Sequence, residues 1–162
     1  MSTGSGITAG FADSSEAFRQ LNNAFAIETS FLEPDAWRVL VRRARFVFTA
    51  LADKAFLLAF DEKPADISPN FDWFAARYAD FVYIDRVVVA ASAHGQGLGK
   101  ALYERLFDEA KAAGFRRIAC EVNLDPPNPG SLAFHERMGF EVVGEARLEN
   151  GKTVRYFART VA

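Results

Sequence analysis

Residues 94–99 read His94-Gly95-Gln96-Gly97-Leu98-Gly99, between a run of valines and a helical pattern, and the fold turns on this stretch. Upstream, Val87, Val88 and Val89 follow Tyr83-Ile84-Asp85-Arg86, as expected of a buried strand of β-branched residues. Downstream, Leu102, Leu106, Ala110 and Ala113 recur at helical spacing, and Gly114 supplies the stop. Strand, glycine turn and helix in that order present bare backbone N–H groups at the positive end of a helix. Such an arrangement takes an anion, most often a phosphate. Glycine lets the backbone come close to a ligand and adopt dihedrals closed to other residues. Tight turns also use glycine with no ligand present, so the turn alone leaves both readings open.

Spacing excludes the two commonest nucleotide motifs. Gly95-x-Gly97-x-Gly99 lacks the two residues that separate the second and third glycines of the dinucleotide fingerprint. A P-loop needs four residues between its glycines and then Lys-Ser or Lys-Thr, whereas Lys100 is followed by Ala101.

The rest of the chain sets broader bounds. Its 162 residues suit a single domain over 11–162, preceded by a flexible, polar start over 1–10. Half of the residues are hydrophobic and 25% are charged, as in soluble globular proteins. A formal charge of −2 argues against a nucleic-acid partner. No stretch approaches the roughly 20 apolar residues that span a bilayer, so no membrane partner is expected. The single Cys120 forms no internal disulfide, and two histidines give no metal cluster. No metal cofactor is expected, and a reducing cytoplasm suits the composition.

Asp13-Ser14-Ser15-Glu16 offers a helix start, with Phe18, Leu21 and Phe25 as its apolar stripe. A second helix is expected from Pro34 to about Ala44, then strands over Phe46–Leu51 and Ala55–Phe60 joined as an antiparallel hairpin. Residues 61–71 read as loop, and the aromatics between Phe71 and Tyr83 mostly as core. Arg117–Val122 is a strand, Asp125–Gly130 a stiff loop, and Ser131–Met138 a short helix ended by Gly139. A last hairpin turns at Asn150-Gly151 and returns over Thr153–Ala158.

Two motifs in order now resemble one family. His94, Gly97 and Gly99 stand where GNAT acetyltransferases carry Arg or Gln, then two residues, Gly, one residue, and Gly or Ala. Asn128, Ser131, Phe134 and His135, closing on Gly139-Phe140, resemble the family's second motif: Asn, two residues, Ser or Ala, two residues, an aromatic pair, then Gly-Phe. The resemblance covers residues 81–144 and is topological before them. It implies an α/β fold: a mixed, centrally splayed sheet with its central pair parallel and helices on both faces. The implied activity is acetyl-CoA-dependent transfer of an acetyl group directly to the amine of a small molecule, or less readily of a protein, by a homodimer.

On that resemblance the site residues take roles. Amides of Gly95, Gln96, Gly97, Leu98, Gly99 and Lys100, with His94, would hold the pyrophosphate of coenzyme A. The strand of Val87, Val88 and Val89 would pair with the pantetheine arm, and its amide would polarise the thioester carbonyl. Asn128, Ser131, Phe134 and His135 match positions near pantetheine and sulfur. Two departures stand out. His94 replaces Arg or Gln, and its imidazole can still face a phosphate. His135 replaces the frequent tyrosine that protonates the leaving thiol, so an acid role and a packing role both stand.

Asp85, which alternates with Tyr83 and Val87 on one strand, and Glu121 on the next are rival general bases. An ion pair with Arg86 or Arg77 is the plain alternative for Asp85. Cys120, between Ile118 and Val122, reads as core, with no covalent acetyl-cysteine route. Acceptor determinants would lie in residues 20–35, 65–85 and 145–155. Two other functions fit the same motifs: a non-catalytic coenzyme-A-binding sensor, and a nucleotide-phosphate binder outside this family.

Overall fold

The computed structural model describes residues 6–11, 15–26, 29–51 and 53–161. The chain forms two compact units, Met1–Phe60 with Ile84–Glu109, and Asp61–Tyr83 with Ala110–Ala162. Seven strands follow the sheet order β1-β2-β3-β4-β5-β7-β6, in chain numbering.

In the first unit, β1 (Ile7–Ala9), β2 (Phe46–Ala50) and β3 (Ala55–Phe60) are antiparallel, with Ile7 opposite Ala50 and Phe46 opposite Ala59. The apolar run Ala-Phe-Leu-Leu-Ala-Phe makes β3 buried at every residue, as a central strand must be. Helices α1 (Ser15–Ala24) and α2 (Pro34–Arg43) bury Phe18 and Trp37. These two rings, Phe11 and Phe56 form a cluster with centroids 5.1–5.7 Å apart, and Trp37 Nε1 donates to Ser15 Oγ at 2.9 Å. Burying four aromatics together, with the indole N–H satisfied, anchors both helices. The start of α1 read at Asp13 and Ser14 lies outside the described residues.

β4 (Val82–Val89) leads through a 3₁₀ turn at Ala91–Ala93 and the glycines into α4 (Leu98–Ala112). Leu98, Leu102, Leu106 and Ala110 are buried along it; Ala113 falls outside the helix and is exposed.

In the second unit, the first residues of β4 pair in parallel with β5 (Arg117–Asp125), Val82 opposite Ile118 and Tyr83 opposite Ala119. α5 (Pro129–Arg137) leads to the hairpin of β6 (Glu141–Arg147) and β7 (Thr153–Thr160), which is antiparallel, and β7 pairs antiparallel with β5.

Two expectations are corrected. Part of the flexible start is strand: Ile7–Ala9 close the edge beside β2, where the extended backbone finds hydrogen-bond partners. The loop over 61–71 contains the start of α3 (Pro69–Ala75). Ser68 caps it, its hydroxyl accepting from Phe71 N at 3.1 Å, and Pro69 takes the first turn, where its missing N–H costs nothing. This helix positions Asn70 and Trp73. Of the aromatics between Phe71 and Tyr83, Phe71, Phe74, Phe81 and Tyr83 are core, while Trp73 and Tyr78 are half-buried.

Candidate active site

The glycine turn has the form of an anion cradle. Gly95 and Gly97 have φ of +80° and +72°, left-handed backbone that side chains resist, and no atom stands within 4 Å of where their Cβ atoms would be. The first helical hydrogen bond of α4 runs from Ala101 N to Gly97 O, so the amides of Leu98, Gly99 and Lys100 have no carbonyl partner one turn back. No acidic residue occupies the first turn. The exposed turn, at the positive end of a 15-residue helix, offers its backbone amides to an anion.

His94 is held to the strand before the turn. Its Nε2 lies 2.9 Å from Val89 O, so the imidazole ties the turn back to the end of β4. Val88 on that strand is buried, and Val87 and Val89 are half-buried.

Asp85 and Arg86 face each other. Arg86 Nε donates to Asp85 Oδ2 at 2.7 Å, and both side chains are only 9% exposed. The same guanidinium donates to Asn22 Oδ1 at 2.9 Å and reaches Ser30 Oγ at 3.4 Å. The pair thus ties β4 to the end of α1 and the segment after it.

Glu121 stands in a different setting. Its Oε2 accepts from Tyr83 Oη at 2.7 Å and its Oε1 from Asn70 Nδ2 at 3.1 Å. Tyr156, opposite Glu121 in the β5–β7 register, donates its hydroxyl to Asn70 Oδ1 at 2.8 Å. Burial first, and then the negative charge of Glu121, hold the Tyr156 hydroxyl above the usual tyrosine range, against the opposing charge of Arg77. Tyr156 therefore stays a proton donor, which orients the Asn70 amide with its N–H₂ toward the carboxylate. Trp73 stacks on Tyr156 at 4.2 Å and 17°, with Arg77 over its ring at 3.7 Å. The result is a half-buried carboxylate held by Tyr83 and Asn70 beside an aromatic wall.

Asn70, Trp73 and Tyr156 are absent from the sequence-derived set. The Ser68-Pro69 cap was the available signal for the first two; Tyr156 offered none, since its role depends on pairing across β5 and β7.

On α5, Asn128 is the N-cap, its Oδ1 accepting from Ser131 N at 3.3 Å. His135 is 4% exposed and sits among Phe134, Phe140 and Phe157, stacking on Phe157 at 5.7 Å. Its Nδ1 lies 2.7 Å from Ser131 O, which places the proton on Nδ1. Burial lowers the imidazole pKa from its ordinary 6.5, while the Ser131 carbonyl works the other way. Cys120 is buried in β5, and burial together with Glu121 raises its thiol well above the usual range.

Among the described residues, no group of three or more His, Cys, Asp or Glu side chains could hold a metal ion, and no helix is long and apolar enough to cross a membrane.

A strand–glycine turn–helix segment with free backbone amides and a hydrogen-bonded carboxylate on the neighbouring strand stand on an α/β fold. The profile of the acetyltransferase (GNAT) family matches residues 35–140, and the chain belongs to that family. It is 38% identical over 71 residues to the phosphinothricin N-acetyltransferase of Streptomyces coelicolor, a match spanning 44% of this chain and 40% of that relative. The fold is similar to that of the ribosomal-protein-S18-alanine N-acetyltransferase from Escherichia coli (TM-score 0.69, 18% identity, 96% and 93% of the two chains). It is also similar to an aminoglycoside 6'-N-acetyltransferase complexed with coenzyme A (TM-score 0.70, 16% identity, 96% and 97%).

Proposed function

We propose that the chain is an acetyl-CoA-dependent N-acetyltransferase that passes the acetyl group directly to the amine of a small molecule, with Glu121 as general base. The observation that carries this reading is the Glu121 carboxylate, held at 2.7 Å by Tyr83 and 3.1 Å by Asn70 on a family-typical scaffold. Attack requires a deprotonated amine, and a fixed carboxylate within hydrogen-bond reach takes that proton. Tyr83 and Asn70 keep the acceptor oxygens in place, and Trp73 and Tyr156 form a flat wall suited to a small amine carrying apolar surface.

The turn at Gly95–Lys100 binds the pyrophosphate through its amides, with His94 bracing the turn rather than meeting the phosphate. Bound acetyl-CoA supplies the electrophilic thioester. Backbone groups of Val87, Val88 and Val89 hold the pantetheine arm and donate to the carbonyl oxygen. Asn128, Ser131 and Phe134 line the arm from α5. His135 serves as a packing residue there and not as the acid, because burial favours the neutral imidazole and its one proton is held on Nδ1 by Ser131 O, leaving none on Nε2 to give. Asp85 is structural through Arg86. Direct transfer fits a buried, protonated Cys120, which is no nucleophile. The reading includes a cytoplasmic setting, which suits the free Cys120, and a homodimer, which the family resemblance implies.

Thiol release from acetyl-CoA, measured across amines and amino acids, tests it. Turnover with at least one small amine is expected. Tight coenzyme binding with no amine turned over would mark a sensor instead. Stabilisation by adenosine nucleotides equal to that by acetyl-CoA would return the turn to a general phosphate site.

A further inference from the structure

We propose that the second compact unit carries a separate site for a small organic polyanion, in an arginine-lined groove of about 650 Å³. Arg117, Arg137 and Arg159 line it, with Glu141 as the opposing carboxylate. Three guanidinium groups against one carboxylate reverse the sign of a chain whose formal charge is −2. The size falls in the range of small-ligand sites.

Each arginine is placed by a different contact. The Arg117 guanidinium lies 3.9 Å over the Tyr78 ring, which orients its plane without using its N–H donors. Arg159 donates through Nη1 to Met138 O at the C-terminal cap of α5, and packs 3.5 Å from where a Cβ on Gly139 would stand. Arg137 is exposed in the last turn of α5. Neighbouring arginines are neutralised: Arg116 lies 3.6 Å from Asp80, and Arg155 lies 2.9 Å from Glu145. Arg117 and Arg137 have no such carboxylate among the described residues.

Planar guanidinium forks match carboxylate and phosphate oxygens bidentately, and two of them over a recessed floor select a ligand with at least two negative charges. Polycarboxylates and phosphomonoesters share that chemistry. The acetyl-transfer reading assigns this groove no part, and its residues include none of the glycine turn.

Isothermal titration at low ionic strength, with citrate and with glycerol 3-phosphate as separate probes, tests the site and tells which chemistry it prefers. Saturable one-to-one binding of at least one probe is expected. Arg117→Gln and Arg137→Gln should each weaken it by about tenfold, the loss of a charge-assisted pair. Circular dichroism confirms that these variants fold. Gly97→Glu, which puts a carboxylate into the glycine turn, should leave the affinity of this groove unchanged. Absence of saturable binding with both probes, affinity unmoved by the arginine variants, or an equal loss in Gly97→Glu would overturn the proposal.

Discussion

Two strand carboxylates, Asp85 and Glu121, look alike in sequence and differ in what faces them. A guanidinium meets Asp85 at 2.7 Å, whereas neutral donors meet Glu121. Removing Glu121 should therefore cost chemistry, and removing Asp85 should cost stability. Glu121→Gln is expected to lower kcat/KM by about a hundredfold or more and to flatten the acid side of the pH–rate profile, with folding kept. Asp85→Asn is expected to cost about 3 kcal/mol in urea unfolding, because it strands a nearly buried cation.

His135 behaves by burial. The folded chain binds a proton there less readily than the unfolded chain, since burial lowers the imidazole pKa from 6.5. Its stabilising share is complete above about pH 6.5 and is lost as pH falls through the lower folded value. Melting temperature should thus drop on acidification from pH 7.5 to 5.5, and His135→Phe should reduce that drop while turnover stays unchanged across pH. A slower variant with an altered pH–rate profile would restore the acid role.

At the scale of elements, the coenzyme cradle proposed for α4 and its glycine turn rests on backbone geometry alone. Gly97→Glu places a side chain at φ +72° and a carboxylate where phosphate belongs. Loss of acetyl-CoA binding by titration calorimetry is the expected result; retained affinity would remove phosphate binding from the turn. The β6–β7 hairpin imposes a second constraint by close approach. A Cβ at Gly144 would lie 2.5 Å from Trp73 Cζ2, and Trp73 stacks on Tyr156. Gly144→Ala must push the indole away, at a cost of about 1–3 kcal/mol in chemical denaturation. Turnover should fall with it, as the wall beside Glu121 shifts.

At the scale of the whole molecule, a ligand that binds only the folded chain stabilises it by mass action, about 2.7 kcal/mol at a hundredfold excess over Kd. Acetyl-CoA should therefore raise the melting temperature in proportion to the logarithm of its concentration. The effect should shrink with added salt if the proposed contact with phosphate charge holds.

What the sequence by itself determined was local and periodic. The valine run, glycines and helical spacing of residues 87–110 specify strand, turn and helix, because glycine dihedrals and hydrophobic period are properties of neighbouring residues. Asn128 at the head of α5 and the Asn150-Gly151 hairpin turn follow from the same kind of rule. Only the tertiary structure set Arg86 against Asp85 and neutral donors against Glu121, recruited Asn70 and Tyr156 from positions 51 and 35 residues from Glu121, and enclosed His135 in phenylalanines. A carboxylate's chemistry depends on which charges and donors stand within a few ångströms, and those come from strands and helices remote in the chain. Spacing along one element cannot report them.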